Sequence, residues 1–314
     1  MGAISAGIRF SEGTDNYPEF WNTVVHPLNN DVIYAASLDS PGPVTDDFPS
    51  SIGGVYKSID GGENWFRANC GLVNSRATAI AIDPAAPNRV LLGIEGGAAS
   101  FSELQGEFFE GGIYLSSDDG SAWNKLDIHE DDVMNGFTNI LPYGSGGQFI
   151  AFGFYREDTS RNVGFVRISD SGASTELFAE ELRDLIIPWY DVSSDGEVIY
   201  AIEQDSFLIR KTTNAGQSWE SMQQQANGPI AVSPVDADEI LFAQASQLRK
   251  SSDGGTNAEI VLEADNQIHD IMHAPSDPNI VYVATEGYLV YKSTDNGESF
   301  EFLGNLRESV LNTN

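Results

Sequence analysis

Basic residues are scarce in this chain: 16 Lys plus Arg stand against 47 Asp plus Glu in 314 residues, a formal net charge of 16 − 47 = −31. With no basic block, it repels phosphate backbones and anionic headgroups, so nucleic-acid binding and electrostatic attachment to a membrane are set aside. Cysteine is almost missing as well. Cys70 stands alone, no intramolecular disulfide can form, and the fold must hold by packing. No run approaches the roughly 18 consecutive apolar residues of a membrane span, and Met1 to Phe20 lacks a basic start followed by an apolar run, so neither insertion nor an attached signal peptide is expected. Asn-x-Ser/Thr sequons are absent too. Helical periodicity is confined to Ala179 to Leu185. What is present is 41% hydrophobic and 11% aromatic residues, too apolar for a disordered acidic polymer and enough to bury a core.

A short segment recurs along the chain. Ser58 to Trp65 (SIDGGENW) returns as Ser116 to Trp123 (SSDDGSAW) and Ser293 to Phe300 (STDNGESF), and more loosely as Thr212 to Trp219, Ser251 to Ala258 and Ile168 to Thr175. The central Asp, or Asn214 in its place, falls at 60, 118, 170, 214, 253 and 295. The shorter intervals among these match one four-stranded propeller blade. Ahead of each copy stand two apolar runs split by a turn, as in Thr78 to Pro84 followed by Asn88 to Leu92, or Pro229 to Pro234 followed by Glu239 to Phe242. Period-two runs punctuated by Pro, Gly, Asn and Asp are strands joined by turns.

The unit is therefore strand A, strand B, strand C ending at the repeated box, and strand D after it. One such sheet leaves both faces bare, whereas several packed face to face bury them. Six units predict an all-β, six-bladed β-propeller of four antiparallel strands per blade. It forms a single domain over 1–314, with blades at about 20–70, 76–128, 137–178, 187–222, 228–263 and 268–306. A seventh blade would have to come from residues 1–19 and the tail after Leu306.

The box Ser-x-Asp-x-Gly-x-x-Trp resembles the Asp-box, or bacterial neuraminidase repeat, of sialidases, xyloglucanases, sortilin-type receptors and photosystem II assembly-factor propellers. The resemblance runs from Phe20 to Leu303 and speaks to fold more than to function. Its residues here are Ser58, Asp60, Gly62 and Trp65; Ser116, Asp118, Gly120 and Trp123; Asn214, Gly216 and Trp219; Asp253; and Asp295, Gly297 and Phe300. The resemblance places this hairpin between strands C and D, opposite the substrate side. The chemistry agrees: the Asp accepts bonds from the turn's own N–H groups, the Gly takes a positive φ, and the Trp closes over the hairpin. These residues are read as structural.

Function is expected on the other side, where B–C and D–A connections lie and where their lengths are uneven. Blade one inserts Ser37 to Ile52 and blade two inserts Glu95 to Gly112. With the connection between blades two and three, these segments gather Asp39, Asp46, Asp47, Glu95, Glu103, Glu107, Glu110, Asp127, Glu130, Asp131 and Asp132, flanked by Lys125. Three readings of this patch stand open. It is a solvated acidic face, a Ca²⁺ site drawing on Asp46, Asp131 and Asp132 although no EF-hand-type loop is present, or a glycosidase site using two carboxylates. For the last, the resemblance of His26 to Tyr34 and Gly53 to Tyr56 to the first xyloglucanase blade implies Asp39 or Asp47 as one carboxylate, with Glu95 or Glu110 as the other. Xyloglucanases, however, use a second propeller to complete the cleft. The sialidase arginine before blade one has only Arg9-Phe10-Ser11 as a counterpart, which departs from the pattern. Trp21, Phe101, Phe108, Trp189 and Tyr190 are the aromatic candidates for ligand binding, with Phe137 and Phe109 beside them.

Other motifs fail on spacing. His269 and His273 on one strand stand roughly 13 Å apart at ~3.3 Å per residue, too far to share a metal. Gly144 to Gly147 reads as an A–B turn. The first expectation is a non-enzymatic recognition propeller that binds a glycan or protein ligand through the acidic loops of blades one to three, with no cofactor unless Ca²⁺ binds. The alternative is a glycoside hydrolase. The acid excess, with Lys at only five positions, points to a saline and extracellular or cell-envelope setting.

Overall fold

The computed structural model describes residues 19–38, 53–98, 108–126, 136–144, 147–154, 164–169, 175–182, 185–274 and 277–305. The fold is a six-bladed β-propeller, each blade an antiparallel sheet of four strands in chain order from A to D. Blade one holds β1 (Glu19–Val25), β2 (Ile33–Leu38), β3 (Gly54–Ser58) and β4 (Phe66–Arg67). Blade two holds β5 (Ala77–Ile82) and β6 (Val90–Ile94), then a two-stranded ribbon of β7 (Gly97–Ala98) and β8 (Phe108–Phe109), then β9 (Gly112–Ser116) and β10 (Asn124–Lys125). Blade three holds β11 (Gly136–Tyr143), β12 (Gln148–Phe154), β13 (Gly164–Ile168) and β14 (Thr175–Phe178). Blade four holds β15 (Trp189–Val192), β16 (Ile199–Ile202), β17 (Leu208–Thr212) and β18 (Glu220–Gln225). Blade five holds β19 (Ile230–Val232), β20 (Ile240–Gln244), β21 (Gln247–Ser251) and β22 (Glu259–Glu263). Blade six holds β23 (Ile268–Ala274), β24 (Asp277–Thr285), β25 (Leu289–Ser293) and β26 (Glu301–Asn305).

Blades one to three form one compact unit and blades four to six another. Of the segments proposed for a seventh blade, 1–19 and the tail after Leu306, only Glu19 is among the described residues, and it belongs to β1 of blade one. Among the described residues, the helix-period stretch at Ala179 to Leu185 holds a 3₁₀ turn at Glu180–Leu182, too short to propagate.

Burial explains the strand sequences. β3, β6 and β16 are buried along their whole length, and β6 (VLLGI), in the middle blade of its unit, is covered on both faces and reads as an unbroken apolar run. The outer D strands stay exposed, as at Phe66–Arg67 and Asn124–Lys125. Four seams, two within each unit, have their own cores. Tyr34 and Val55 of blade one meet Ile80, Leu92 and Trp123 of blade two; Leu91 and Ile113 of blade two meet Phe137, Phe149 and Val166 of blade three. Tyr200 and Ile202 of blade four meet Val232 and Phe242 of blade five; Leu241 and Leu248 meet Ile271 and Val283 of blade six. Each fully buried Leu, Ile or Phe contributes roughly 1.5–3 kcal/mol.

The repeated C–D turn has one bonding scheme wherever it is described. Ser58 Oγ donates to Asp60 Oδ1 at 2.8 Å and accepts Gly62 N at 2.8 Å, while Asn64 N donates to Asp60 Oδ1 at 2.9 Å. Ser116, Thr212, Ser251 and Ser293 repeat the scheme with Asp118, Asn214, Asp253 and Asp295. Two successive residues take positive φ, for example Asp119 at 61° and Gly120 at 77°. At Gly120 a Cβ would also lie 2.8 Å from the Tyr34 ring. The carboxylates of Asp60, Asp118, Asp253 and Asp295 are held below the usual range by the bonds they accept, Asp295 down to about 2 through Ser293 first. Tryptophan behaves less uniformly than expected. Trp65 and Trp219 close on their own hairpins through Gly62 O and Gly216 O. Trp123 instead donates to Ala68 O of blade one at 2.6 Å, because its ring is drawn into the seam core beside Leu72.

Lysines clasp successive blades on this turn side. Lys57 of β3 reaches Asp119 O and Oδ2 in the box of blade two, where Tyr34 also donates to Asp119 O. Lys211 of β17 reaches Asp238 of blade five at 2.8 Å, and Lys250 of β21 reaches Asn296 O of blade six at 2.9 Å. All three are buried, so three of the chain's five lysines fasten blade to blade.

Candidate ligand-binding face

On the B–C and D–A side of blades one to three, the best-described cluster stands at the mouth of blade two. The end of β6 delivers Glu95, and the segment entering β5 delivers Asn74, Ser75 and Arg76, with Asn74, Ser75 and Glu95 buried. Arg76 Nη2 donates to Glu95 Oε2 at 2.7 Å, and Asn74 Nδ2 donates to Glu95 O at 2.8 Å. The same asparagine stitch recurs where Asn266 Nδ2 donates to Glu286 O at 2.9 Å, so Asn74 belongs to the scaffold and the Arg76–Glu95 ion pair is the local addition. A buried ion pair holds only while both members stay paired.

The ribbon of β7 and β8 rises from this cluster, pairing Gly97 with Phe109 and Ala98 with Phe108. Its base is pinched at Gly96, where a Cβ would come within 2.6 Å of Gly111 N. The ribbon carries Glu110 to Lys125 of β10, with Oε2 and Nζ at 2.9 Å. The hydrogen bond from Lys125, and then its charge, hold the Glu110 carboxyl below the usual range.

Of the carboxylates proposed as catalytic, Glu95 and Glu110 are thus brought to one corner of blade two, each beside a cation. Asp39 and Asp47 lie outside the described residues, as do Glu103, Glu107, Asp127 and Glu130 and the Ca²⁺ candidates Asp46, Asp131 and Asp132. Among the described residues no group of three or more His, Cys, Asp or Glu side chains is placed to hold a metal ion. Phe101 and the side chains of Trp21 and Phe108 also lie outside the described residues. Phe137 and Tyr190 are buried, and Trp189 packs half-buried against the core of blades four and five.

A row of inner-strand Asx residues goes unread in the sequence. Asn22, Asn139 and Asp270 stand at one register position of strand A in blades one, three and six, opposite Ala36, Phe152 and Ala284, and Asp191 lies two residues further along strand A of blade four, opposite Tyr200. Asn22 Oδ1 accepts Ile80 N from blade two at 3.3 Å, and Asp191 Oδ2 accepts Val232 N from blade five at 2.7 Å while its Oδ1 accepts Val192 N at 2.8 Å. Burial pushes Asp191 up to about 6 against those bonds, with the Asp270 charge adding to the rise. Asp270 is raised by burial as well. The available signal is an apolar residue, any residue, then Asx at the head of strand A: Phe20-Trp-Asn22, Phe137-Thr-Asn139, Trp189-Tyr-Asp191 and Ile268-His-Asp270.

No protein-family model and no curated protein sequence matches the chain. Its fold is similar to that of solved propellers. A structure of YCF48 bound to D1 peptide aligns over 96% of this chain and 86% of that one, with a TM-score of 0.59 at 13% identity. YCF48 from Cyanidioschyzon merolae aligns over 92% and 86%, with a TM-score of 0.58 at 12% identity. The GH74 xyloglucanase from Xanthomonas campestris aligns over 91% of this chain and 54% of its own, with a TM-score of 0.43 at 15% identity. At these identities the likeness to the YCF48 structures establishes the propeller fold alone.

Proposed function

We propose that this chain is an Asp-box propeller that acts as a non-enzymatic recognition module, binding a segment of another protein, or a glycan, through the B–C and D–A loops of blades one to three. The observation that carries this reading is the condition of the two carboxylates at the root of those loops. Glycoside hydrolysis needs one carboxyl kept neutral as an acid. Glu95 is instead committed to an ion pair with Arg76, and Glu110 to Lys125, whose hydrogen bond and charge hold the Glu110 carboxyl below the usual range. That a YCF48 structure of similar fold holds a D1 peptide supports the protein ligand over the glycan.

The test is to screen the purified chain on peptide and glycan arrays, and in parallel to incubate it with polysaccharides and sialosides and assay reducing ends. Saturable binding without new reducing ends is expected. Release of reducing ends that disappears in Asp39→Asn or Asp47→Asn would overturn the proposal in favour of a hydrolase.

A further inference from the structure

Between blades five and six, within one compact unit, His273 of β23 stands against a narrow recess lined by Ser233, Glu239, Ile240, Leu241, Lys250 and Asn296. Its Nδ1 lies 3.1 Å from Pro278 O. A carbonyl only accepts, so Nδ1 carries the proton and Nε2 is left with a lone pair. That Nε2 is buried without a hydrogen-bond partner. Around it runs the polar latch that joins the two blades. Lys250 Nζ donates to Asn296 O at 2.9 Å and to Glu298, and Asn296 Nδ2 donates to Glu239 Oε2 at 2.6 Å.

We propose that this seam is an acid-sensitive joint in which a proton on His273 Nε2 loosens blade six from blade five. The charged groups facing the imidazole settle the direction. Lys250 opposes a second cation, Glu239 favours one, and Glu298 is engaged by Lys250. Burial, the largest influence, disfavours the imidazolium, and the net effect holds His273 below its ordinary value. The new N–H has no acceptor in place. It is either left unpaired beside the Lys250 ammonium or answered by Glu239, which must then shift from its place on Asn296. The first leaves a buried donor unpaired and the second strains a bond of the latch. Because the folded-state value is depressed, the stability contribution is present above the unfolded value of about 6.5 and is lost as the pH falls through the folded one.

The experiment is hydrogen exchange read by mass spectrometry at pH 7.5 and pH 5, corrected for the intrinsic rate, on wild type and His273→Leu. Peptides covering β23 and β25 should lose protection about tenfold more than those of β16 and β17 in the wild type, and the excess should vanish in the variant. An equal loss in His273→Leu, or a uniform loss in every blade, overturns the proposal. Should the variant fail to fold, the ¹³Cε1 resonances of the four histidines provide the second measurement in wild type. A His273 midpoint at or above about 6.5 also overturns it.

Discussion

Replacing Asp191 by Asn addresses the inner strands directly. The carboxyl of Asp191 is pushed from 3.8 to about 6 by burial, although it accepts Val192 N and Val232 N. At 1.36 kcal/mol per unit, the ionised side chain destabilises the fold at neutral pH by about 3 kcal/mol relative to an unshifted carboxylate. An asparagine removes that charge and keeps one acceptor oxygen, the kind of acceptor that Asn22 offers to Ile80 N across the seam of blades one and two. Losing the second acceptor bond offsets roughly 1 kcal/mol, so Asp191→Asn should stabilise the protein by about 1–2 kcal/mol at pH 7.5, or a few degrees in Tm. The pH dependence is the diagnostic. A raised carboxyl destabilises above its folded value, and the penalty is relieved as the pH falls toward the unfolded one. The penalty should therefore shrink to about half at pH 5, and the advantage of the variant, which carries the constant loss of the acceptor bond, to about a third. Chemical denaturation of both proteins at the two pH values measures this. A variant destabilised equally at both would show that the carboxylate is needed as a double acceptor and would refute the account.

The lysine clasps predict a contrast. Lys57→Met, which strips the buried contact with Asp119, should cost about 1–3 kcal/mol in thermal or urea melts, whereas Lys125→Met at the exposed pair with Glu110 should stay within about 0.5 kcal/mol. Gly120→Ala, at φ 77° and against the Tyr34 ring, should destabilise by about 1–3 kcal/mol, while a change inside ~0.5 kcal/mol would contradict the turn geometry. With a net charge of −31, melting temperature should climb steeply with added NaCl as self-repulsion is screened, and a flat response would count against a saline setting.

The blades and their order were legible because what encodes them is local. Ser58-x-Asp60-x-Gly62 closes its hydrogen bonds within five residues, and runs such as Thr78 to Ile82 declare a strand through their own period. The Lys that precedes the box Ser or Thr at 57, 211, 250 and 292 was equally visible in the sequence, though nothing there says where its ammonium goes. Tertiary structure alone decided what crosses a seam: Lys57 meeting Asp119, Asn22 meeting Ile80 N, Trp123 leaving its hairpin for Ala68 O. It also decided that Glu95, read as a catalytic carboxylate, is bound to Arg76. The physical reason is that turn and strand chemistry depends on neighbours a few residues away, whereas these pairings depend on how one blade's face registers on the next, and on burial that appears only once both faces are covered.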